Sequence, residues 1–555
     1  MKKTLLSLSV LFFTLATSAE EIKIPKAAIA SAHPLATEAG MKILKQGGNA
    51  FDAAVTVSAV LAVVEPYSSG IGGGGFWLLH REQDNKQIMI DGREMAPGKS
   101  HKDMYLDQVG KVVPRLSLDG ALAAGIPGEI AALVHLSKNY GDLSLKKTLA
   151  PAIKIAEEGF SVTEHYQKMT AFRIEILRTY PSSAAIFLKD NQVPELGSLI
   201  LQKDLASTLR SVSEKGANGF YGCEVAKKLV DGVQAANGIW SLEDLKNYKV
   251  VEREPIRSTY NGINIISAAP PSSGGIVLAQ ALNILEHKNL SKLTGVERKH
   301  LVVEAMRRAY ADRAEYMGDP DFVTIPEKLI KKSYASLKVA SIKHDQASLS
   351  ASLNKEIPRT KGTDTTHFSI LDREGNRVSA TLSINYPFGS GFVVPGTGVL
   401  LNDEMDDFAI QSNTPNVYGL VGNKANEVAP GKRPLSSMSP TFLETKSKVA
   451  ILGTPGGSRI ISMVLLGILD FAEGNDPESW VSLPRYHHQY LPDEIQYEKG
   501  AFSEKEKQQL EKFGHQLKEK TRQYGNMQAI VLDQQTKQVK AASDPRGEGS
   551  SEVTQ

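Results

Sequence analysis

Residues 364–385 read Asp364-Thr365-Thr366-His367-Phe368-Ser369-Ile370-Leu371-Asp372-Arg373-Glu374-Gly375-Asn376-Arg377-Val378-Ser379-Ala380-Thr381-Leu382-Ser383-Ile384-Asn385. His367 to Leu371 suits a strand, 372–376 has turn chemistry, and Arg377 to Asn385 is a second strand with Val378, Ala380, Leu382 and Ile384 on one face. Together they predict a β-hairpin closed by Arg373-Glu374-Gly375, with glycine where positive φ is often required. Pairing Asp372 with Asn376 fixes the register and sets Thr365 opposite Ser383, with Asn385 following on the same face. The result is a polar cluster of two hydroxyls and an amide at a strand start. On pattern alone the plainer reading, Thr and Ser as ordinary strand-surface residues, stands ahead.

Outward from the hairpin, helices and strands are mixed throughout. Residues 49–64 are apolar on most sides and stop at Glu65-Pro66, which predicts a buried helix. Residues 299–316 predict a second helix, and strands are expected near 76–79, 263–268, 449–452 and 529–532. A polar stretch with Pro, Gly and Asn at 409–433 is a candidate mobile loop. No repeat or low-complexity linker divides the chain, so one integrated body is expected.

Composition excludes several classes. The 555 residues are 41% hydrophobic and 23% charged, the profile of a globular protein. The formal charge is +2 and two of the positives, Lys2 and Lys3, lie in the first 19 residues, so no broad electrostatic reason to bind nucleic acid or anionic lipid exists. Cys223 is the one cysteine, which excludes an intramolecular disulfide and cysteine-rich metal centres. Lys2-Lys3, an apolar run from Leu5 to Ala16 and then Thr17-Ser18-Ala19 resemble a signal peptide at 1–19 cleaved after Ala19. The run is too short to span a bilayer, which takes about 20 residues. A periplasmic or secreted protein without a membrane anchor is therefore expected.

Three motifs are set aside. Gly70-Ile-Gly72-Gly-Gly-Gly75 fits G-x-G-x-x-G but follows a helix and precedes a strand, the reverse of a dinucleotide site. Gly98-Lys99-Ser100 lacks the glycine five positions earlier, where Arg93 stands, so it is not a phosphate loop. His487-His488, being adjacent, cannot share a helix face at metal-ligand spacing and are better read as structural.

A set of strings then changes the weight given to Thr365. Thr365-Thr-His-Phe-Ser is followed by Asn402-Asp-Glu404-Met-Asp-Asp407, Pro434-Leu-Ser436-Ser437-Met-Ser-Pro and Thr454-Pro-Gly456-Gly457-Ser-Arg. Upstream stand Gly47-Gly-Asn-Ala-Phe-Asp-Ala-Ala, Asp91-Gly-Arg93-Glu-Met-Ala-Pro, Pro270-Pro-Ser-Ser-Gly-Gly and Tyr310-Ala-Asp-Arg-Ala-Glu-Tyr, with Ser543-Asp-Pro-Arg near the end. In this order and spacing the chain resembles the γ-glutamyltransferases over essentially its whole mature length.

The resemblance implies an α/β, four-layer αββα N-terminal-nucleophile hydrolase. It implies a precursor cut between Asp364 and Thr365 into a large chain, 20–364, and a small chain, 365–555, intertwined as a heterodimer. Thr365 would be the nucleophile, with its freed α-amine, of usual pKa roughly 7.7 to 8.0, as base. Ser383 would hydrogen-bond the Thr365 hydroxyl, standing where the family commonly has threonine and lacking the methyl that restricts rotamers. Arg93 would face the substrate α-carboxylate, helped by Ser436 and Ser437. Glu404 and Asp407, with Asn385, would hold the α-ammonium. The Gly456 and Gly457 amides would form the oxyanion hole, and Tyr418 matches the aromatic residue of a lid favouring small donors such as glutathione over polymers.

The expected activity is γ-glutamyl transfer and glutathione hydrolysis through a Thr365 acyl-enzyme, with water or amino acid and dipeptide acceptors. No metal or organic cofactor is implied. Two rivals remain, a glutaryl-type cephalosporin acylase of the same fold and a non-catalytic exported protein that binds γ-glutamyl peptides. A glutaryl group has no ammonium for the Glu404/Asp407 pair, and a binding protein needs no chain break.

Overall fold

The computed structural model describes residues 24–353, 365–411, 416–422 and 424–554. The signal segment, Asp364 and four residues of the 409–433 loop near its tip lie outside them, as does residue 423.

Two sheets form the centre. In the first, thirteen-strand numbering in chain order begins with β1 (Ala28–Ser31), β2 (Gly74–Arg81), β3 (Lys86–Gly92) and β4 (Val251–Arg253). The second sheet opens with β5 (Ile256–Tyr260) and β6 (Ile263–Ser267). The hairpin is β7 (Thr366–Leu371) and β8 (Arg377–Ser383); then come β9 (Thr441–Glu444), β10 (Lys448–Gly453), β11 (Gln528–Asp533), β12 (Val539–Ser543) and β13 (Ser550–Val553). The first sheet runs β13-β1-β7-β8-β2-β3-β4 and the second β12-β11-β10-β9-β6-β5.

The hairpin register is the one the turn predicts: Leu371 pairs Arg377 and Thr366 pairs Leu382. The Asp372 N–H donates to the Asn376 carbonyl at 3.1 Å, and Gly375 takes φ 97°. The second strand stops at Ser383, two residues before the alternation would end it. Asn385 adopts φ 74°, a left-handed conformation that asparagine tolerates better than most residues and that breaks the pleat.

Alternation along the hairpin builds two different faces. Phe368, Ile370, Val378, Ala380, Leu382 and Ile384 join an apolar layer with Trp77, Leu79 and Ile90. Helices α1 (Pro34–Lys45), α2 (Ala50–Val64), α3 (Glu129–Asn139) and α4 (Leu145–Glu158) cover that layer. Every residue of α2 is buried. Its start is fixed by Asn49, whose Oδ1 accepts from the Phe51 and Asp52 amides while Asp52 accepts from the Asn49 amide. It ends at Glu65, where Pro66 prevents continuation.

The opposite hairpin face carries His367, Ser369, Ser379 and Thr381 and meets the second sheet through polar pins. Ser369 Oγ donates to the Gln528 carbonyl at 3.0 Å and Ser379 Oγ to the Leu452 carbonyl at 3.1 Å. Thr365 and Ser383 share this face by period 2, at its end. The second sheet is covered by α5 (Gly274–Leu285), α6 (Gly295–Tyr316) and α7 (Ile460–Ala472), giving the layer order α, β, β, α. Helix α6 starts four residues ahead of the sequence reading because Thr294 and Glu297 form a capping box. No helix among the described residues is long and apolar enough to cross a membrane.

Candidate active site

Thr365 is 6% exposed and lies immediately before β7. Its Oγ1 is 3.5 Å from Ser383 Oγ, the contact that the hairpin register sets. Ser383 Oγ in turn accepts the Asn385 N–H at 2.8 Å, so the left-handed turn at Asn385 fixes the serine. Asn385 Nδ2 donates to the Asp403 carbonyl at 2.9 Å. One residue past Thr365, Thr366 Oγ1 donates to Glu65 Oε2 at 2.7 Å. Burial pushes the Glu65 carboxyl up to about 7.

Arg93 follows β3 and is 1% exposed. Its Nη1 pairs with Glu404 Oε2 at 2.5 Å, its Nη2 with Asp407 Oδ2 at 2.6 Å, and its Nε donates to the Pro434 carbonyl at 3.2 Å. Glu94 Oε2 lies 3.4 Å from the same guanidinium. The sequence reading set Arg93 at an α-carboxylate and the Glu404/Asp407 pair at an α-ammonium, two groups on one carbon; the fold places all three residues in one ion cluster. Burial, reinforced by repulsion from Glu404 on Glu94 and from Asp407 on Glu404, raises both carboxyls above the usual range. Glu94 Oε1 and Glu404 Oε1 are buried without a hydrogen-bond partner among the described residues.

Facing this cluster are the two serines. Ser436 Oγ accepts the Met438 N–H at 3.1 Å, and Ser437 Oγ accepts from Arg313 Nη2 at 3.3 Å. The glycine pair joins β10 to α7: Gly456 has φ 141° and Gly457 φ 57°. Among the described residues the amides of Gly456 and Gly457 donate to no acceptor. They sit at the N-terminal end of α7, where the helix dipole and open N–H groups favour negative charge.

The 409–433 loop closes over these groups. Tyr418 Oη donates to the Asn385 carbonyl, its N–H donates to Asn416 Oδ1 at 3.0 Å, and Asn416 Nδ2 donates to Asp407 Oδ1 at 2.9 Å. The Tyr418 ring lies against Gly457, where a Cβ would run into it. The described part of the loop is thus packed down, with Val417, Tyr418 and Val428 buried.

Thr365, Ser383, Asn385, Arg93, Asp407, Tyr418, Ser436, Ser437 and Gly457 line one cleft. Glu404 stands behind Arg93, and Gly456 precedes Gly457 outside the lining. Asp364 is outside the described residues. Sequence reasoning gave no role to Arg313, Ser273, Glu94 or Asn416, although Arg313, Ser273 and Glu94 stood in the quoted strings. His487 and His488 are core residues, bonded to Ser462 Oγ at 2.6 Å and Asp493 Oδ1 at 3.2 Å. His300, Glu304 and His515 come together elsewhere, but Glu304 is spent on Arg307 and Arg308 and the two imidazoles hydrogen-bond each other at 2.7 Å.

These features recur in known proteins. The profile of the gamma-glutamyltranspeptidase family matches residues 36–554. A glutathione hydrolase proenzyme of Pseudomonas sp. strain A14 is 40% identical over 513 residues, covering 91% of this chain and 89% of that protein. The crystal structure of Helicobacter pylori gamma-glutamyltranspeptidase is 43% identical with a TM-score of 0.57, covering 59% of this chain and 94% of that chain. The crystal structure of a cephalosporin acylase from Bacillus halodurans has a TM-score of 0.84 at 27% identity, covering 98% of this chain and 99% of that chain. A cleft built on a strand-initial threonine, an αββα body and a family profile spanning nearly the whole sequence lead to one assignment: the chain belongs to the γ-glutamyltranspeptidase family, enzymes of the N-terminal-nucleophile hydrolase type.

Proposed function

We propose that this protein is a γ-glutamyltransferase and glutathione hydrolase whose nucleophile is Thr365. The observation that carries the reading is the meeting of Thr365, Ser383 and the Arg93–Asp407 ion pair in a single cleft. The precursor is cut between Asp364 and Thr365 by attack of the Thr365 hydroxyl on the Asp364 carbonyl, giving an ester that water opens. This yields chains 20–364 and 365–555 and frees the Thr365 α-amine. That amine then takes the hydroxyl proton as Oγ1 attacks the γ-carbonyl of a donor. The tetrahedral oxyanion is held by the Gly456 and Gly457 amides, a donor of this kind being typically worth about 3 kcal/mol. The amine, now protonated, returns its proton to the leaving amine. Water or the amine of an amino acid or dipeptide opens the glutamyl ester.

Asp407 and Glu404, with Asn385, receive the donor ammonium, and Arg93, helped by Ser436 and Ser437, its carboxylate. Glutathione, like other γ-glutamyl amides, carries both groups. A glutaryl donor lacks the ammonium, so the acylase reading gives the carboxyls of Glu404 and Asp407 no substrate group to receive. Export to the periplasm or medium follows from the N-terminal segment.

The test is intact mass and N-terminal sequencing of the purified protein, together with release of 4-nitroaniline from γ-glutamyl-4-nitroanilide. Two chains, one starting at Thr365, and turnover that disappears in Thr365→Ala are expected. A single uncut chain with undiminished turnover would overturn the assignment of the nucleophile.

A further inference from the structure

Arg313 lies in the last turn of α6, 4% exposed, behind Ser437 and outside the residues that line the Thr365 cleft. Its Nε donates to Ser273 Oγ at 2.9 Å and its Nη2 to Ser437 Oγ at 3.3 Å. Ser273 passes its own proton to the Ser436 carbonyl at 2.8 Å, and the Ser273 N–H donates to the same oxygen at 2.8 Å. One guanidinium therefore grips the backbone of Ser436 through Ser273 and the side chain of Ser437 directly.

The direction of these bonds matters. An arginine N–H can only donate, so Ser437 Oγ accepts and its hydroxyl proton is turned elsewhere. Ser436 Oγ likewise accepts the Met438 N–H, leaving its proton for another acceptor. Both hydroxyls line the cleft, and both are set as donors by what lies behind them. Two neighbouring hydroxyl donors suit an anion.

Charge points the same way. Arg93 already has both Nη groups on Glu404 and Asp407. Arg313, by contrast, has no carboxylate within ion-pair distance among the described residues, and burial lowers its pKa, with Tyr310 and Asp407 acting in the other direction. A buried cation without a matched anion is costly unless a ligand supplies the anion.

We propose that Arg313 is a positioning residue for the donor α-carboxylate, orienting the Ser436 and Ser437 hydroxyls as donors from behind the cleft. The inference rests on the γ-glutamyl reading above.

The experiment uses the processed enzyme and three 4-nitroanilides: γ-glutamyl, glutaryl (no ammonium) and 4-aminobutyryl (no carboxylate). Arg313→Met should lower kcat/KM about tenfold to a hundredfold for the two carboxylate-bearing donors, chiefly through KM. The 4-aminobutyryl donor should change by less than about threefold. Arg313→Lys, which keeps the charge but not the two-pronged grip, should fall between. Ser437→Ala should reproduce most of the effect, and adding Arg313→Met to it should cost little more. Equal losses on all three donors would overturn the proposal and leave Arg313 a structural residue, as would an unchanged carboxylate preference. If Arg313→Met fails to fold or to be cut, Arg313→Lys decides by the same comparison. Failure of the parent enzyme to cleave the γ-glutamyl donor would instead sink the functional reading itself.

Discussion

Replacing Glu65 with glutamine should stabilise this protein at alkaline pH and leave it nearly unchanged at pH 4. Glu65 is buried where α2 ends, accepting the Thr366 hydroxyl at 2.7 Å, and burial with some repulsion from Glu548 pushes its pKa up to about 7. In the unfolded chain it ionises near 4.3. Between those values the folded state holds a proton that the unfolded state has released, so this group's contribution to stability falls as pH rises and is fully lost above about 7. At about 1.4 kcal/mol per pKa unit, keeping Glu65 ionised in the fold costs roughly 4 kcal/mol. Glutamine cannot ionise and retains an oxygen for the Thr366 hydroxyl. Asp372 and Asp406, both pushed up to about 7 by burial, titrate in either protein and cancel in the difference. The assay is the melting temperature of parent and Glu65→Gln from pH 4 to 9, on uncut or fully cut protein but not a mixture. The curves should converge near pH 4 and separate steadily from there to about pH 7, with the variant higher. Parallel curves, or a variant less stable at pH 8, would refute the buried-carboxyl account.

Asp407→Asn removes the partner of Arg93 Nη2 at 2.6 Å and the charge assigned to the donor ammonium. It should lower kcat/KM for γ-glutamyl-4-nitroanilide by about tenfold to a hundredfold, from roughly 1.5 to 3 kcal/mol for a charged hydrogen bond, and affect the glutaryl anilide far less; equal losses would refute the assignment. Gly457→Ala places a methyl against the Tyr418 ring and asks alanine for φ 57°. Steady-state turnover should fall at least tenfold in the folded, processed variant, with partial recovery in Gly457→Ala/Tyr418→Ala; no recovery would show that the backbone, not the lid, is what the methyl disturbs.

The hairpin was legible because its information is local. Alternating side chains set the faces, and Gly375 sets the turn from which the Thr365–Ser383 juxtaposition follows. The early end of β8 was not, since Ile384 continues the apolar alternation while Asn385 leaves the β region, a choice made by bonds to Asp403. The start of α6 was written in Thr294 and Glu297, a capping signal that the apolar pattern overshadowed. The site was different in kind. Arg93 meets Glu404 across 311 positions, and Arg313 meets Ser437 across 124. Such encounters depend on how two sheets and their helices stack, and no periodicity encodes them; the family strings named most of the participants without revealing who pairs with whom. So the sequence named Arg93 for a substrate carboxylate without showing that the fold also surrounds it with three carboxyls.

That crowding is itself a reason for a zwitterionic donor on the proposed reading. Glu94, Glu404 and Asp407 converge on one guanidinium, so the acidic side is in excess and part of it is held by raised pKa values rather than by counter-charge. Behind the cleft Arg313 is a cation in search of an anion, reached through Ser437. Each side is unbalanced, in opposite senses. A glutaryl group would settle the Arg313 side and leave the acids unmatched; a 4-aminobutyryl group would do the reverse. An α-amino acid head group answers both at once, and does so only when its ammonium lies toward Asp407 and its carboxylate toward the serines. The same two imbalances that select the donor therefore also fix which way it lies, and with the head group fixed the γ-carbonyl is delivered to one place, beside Thr365.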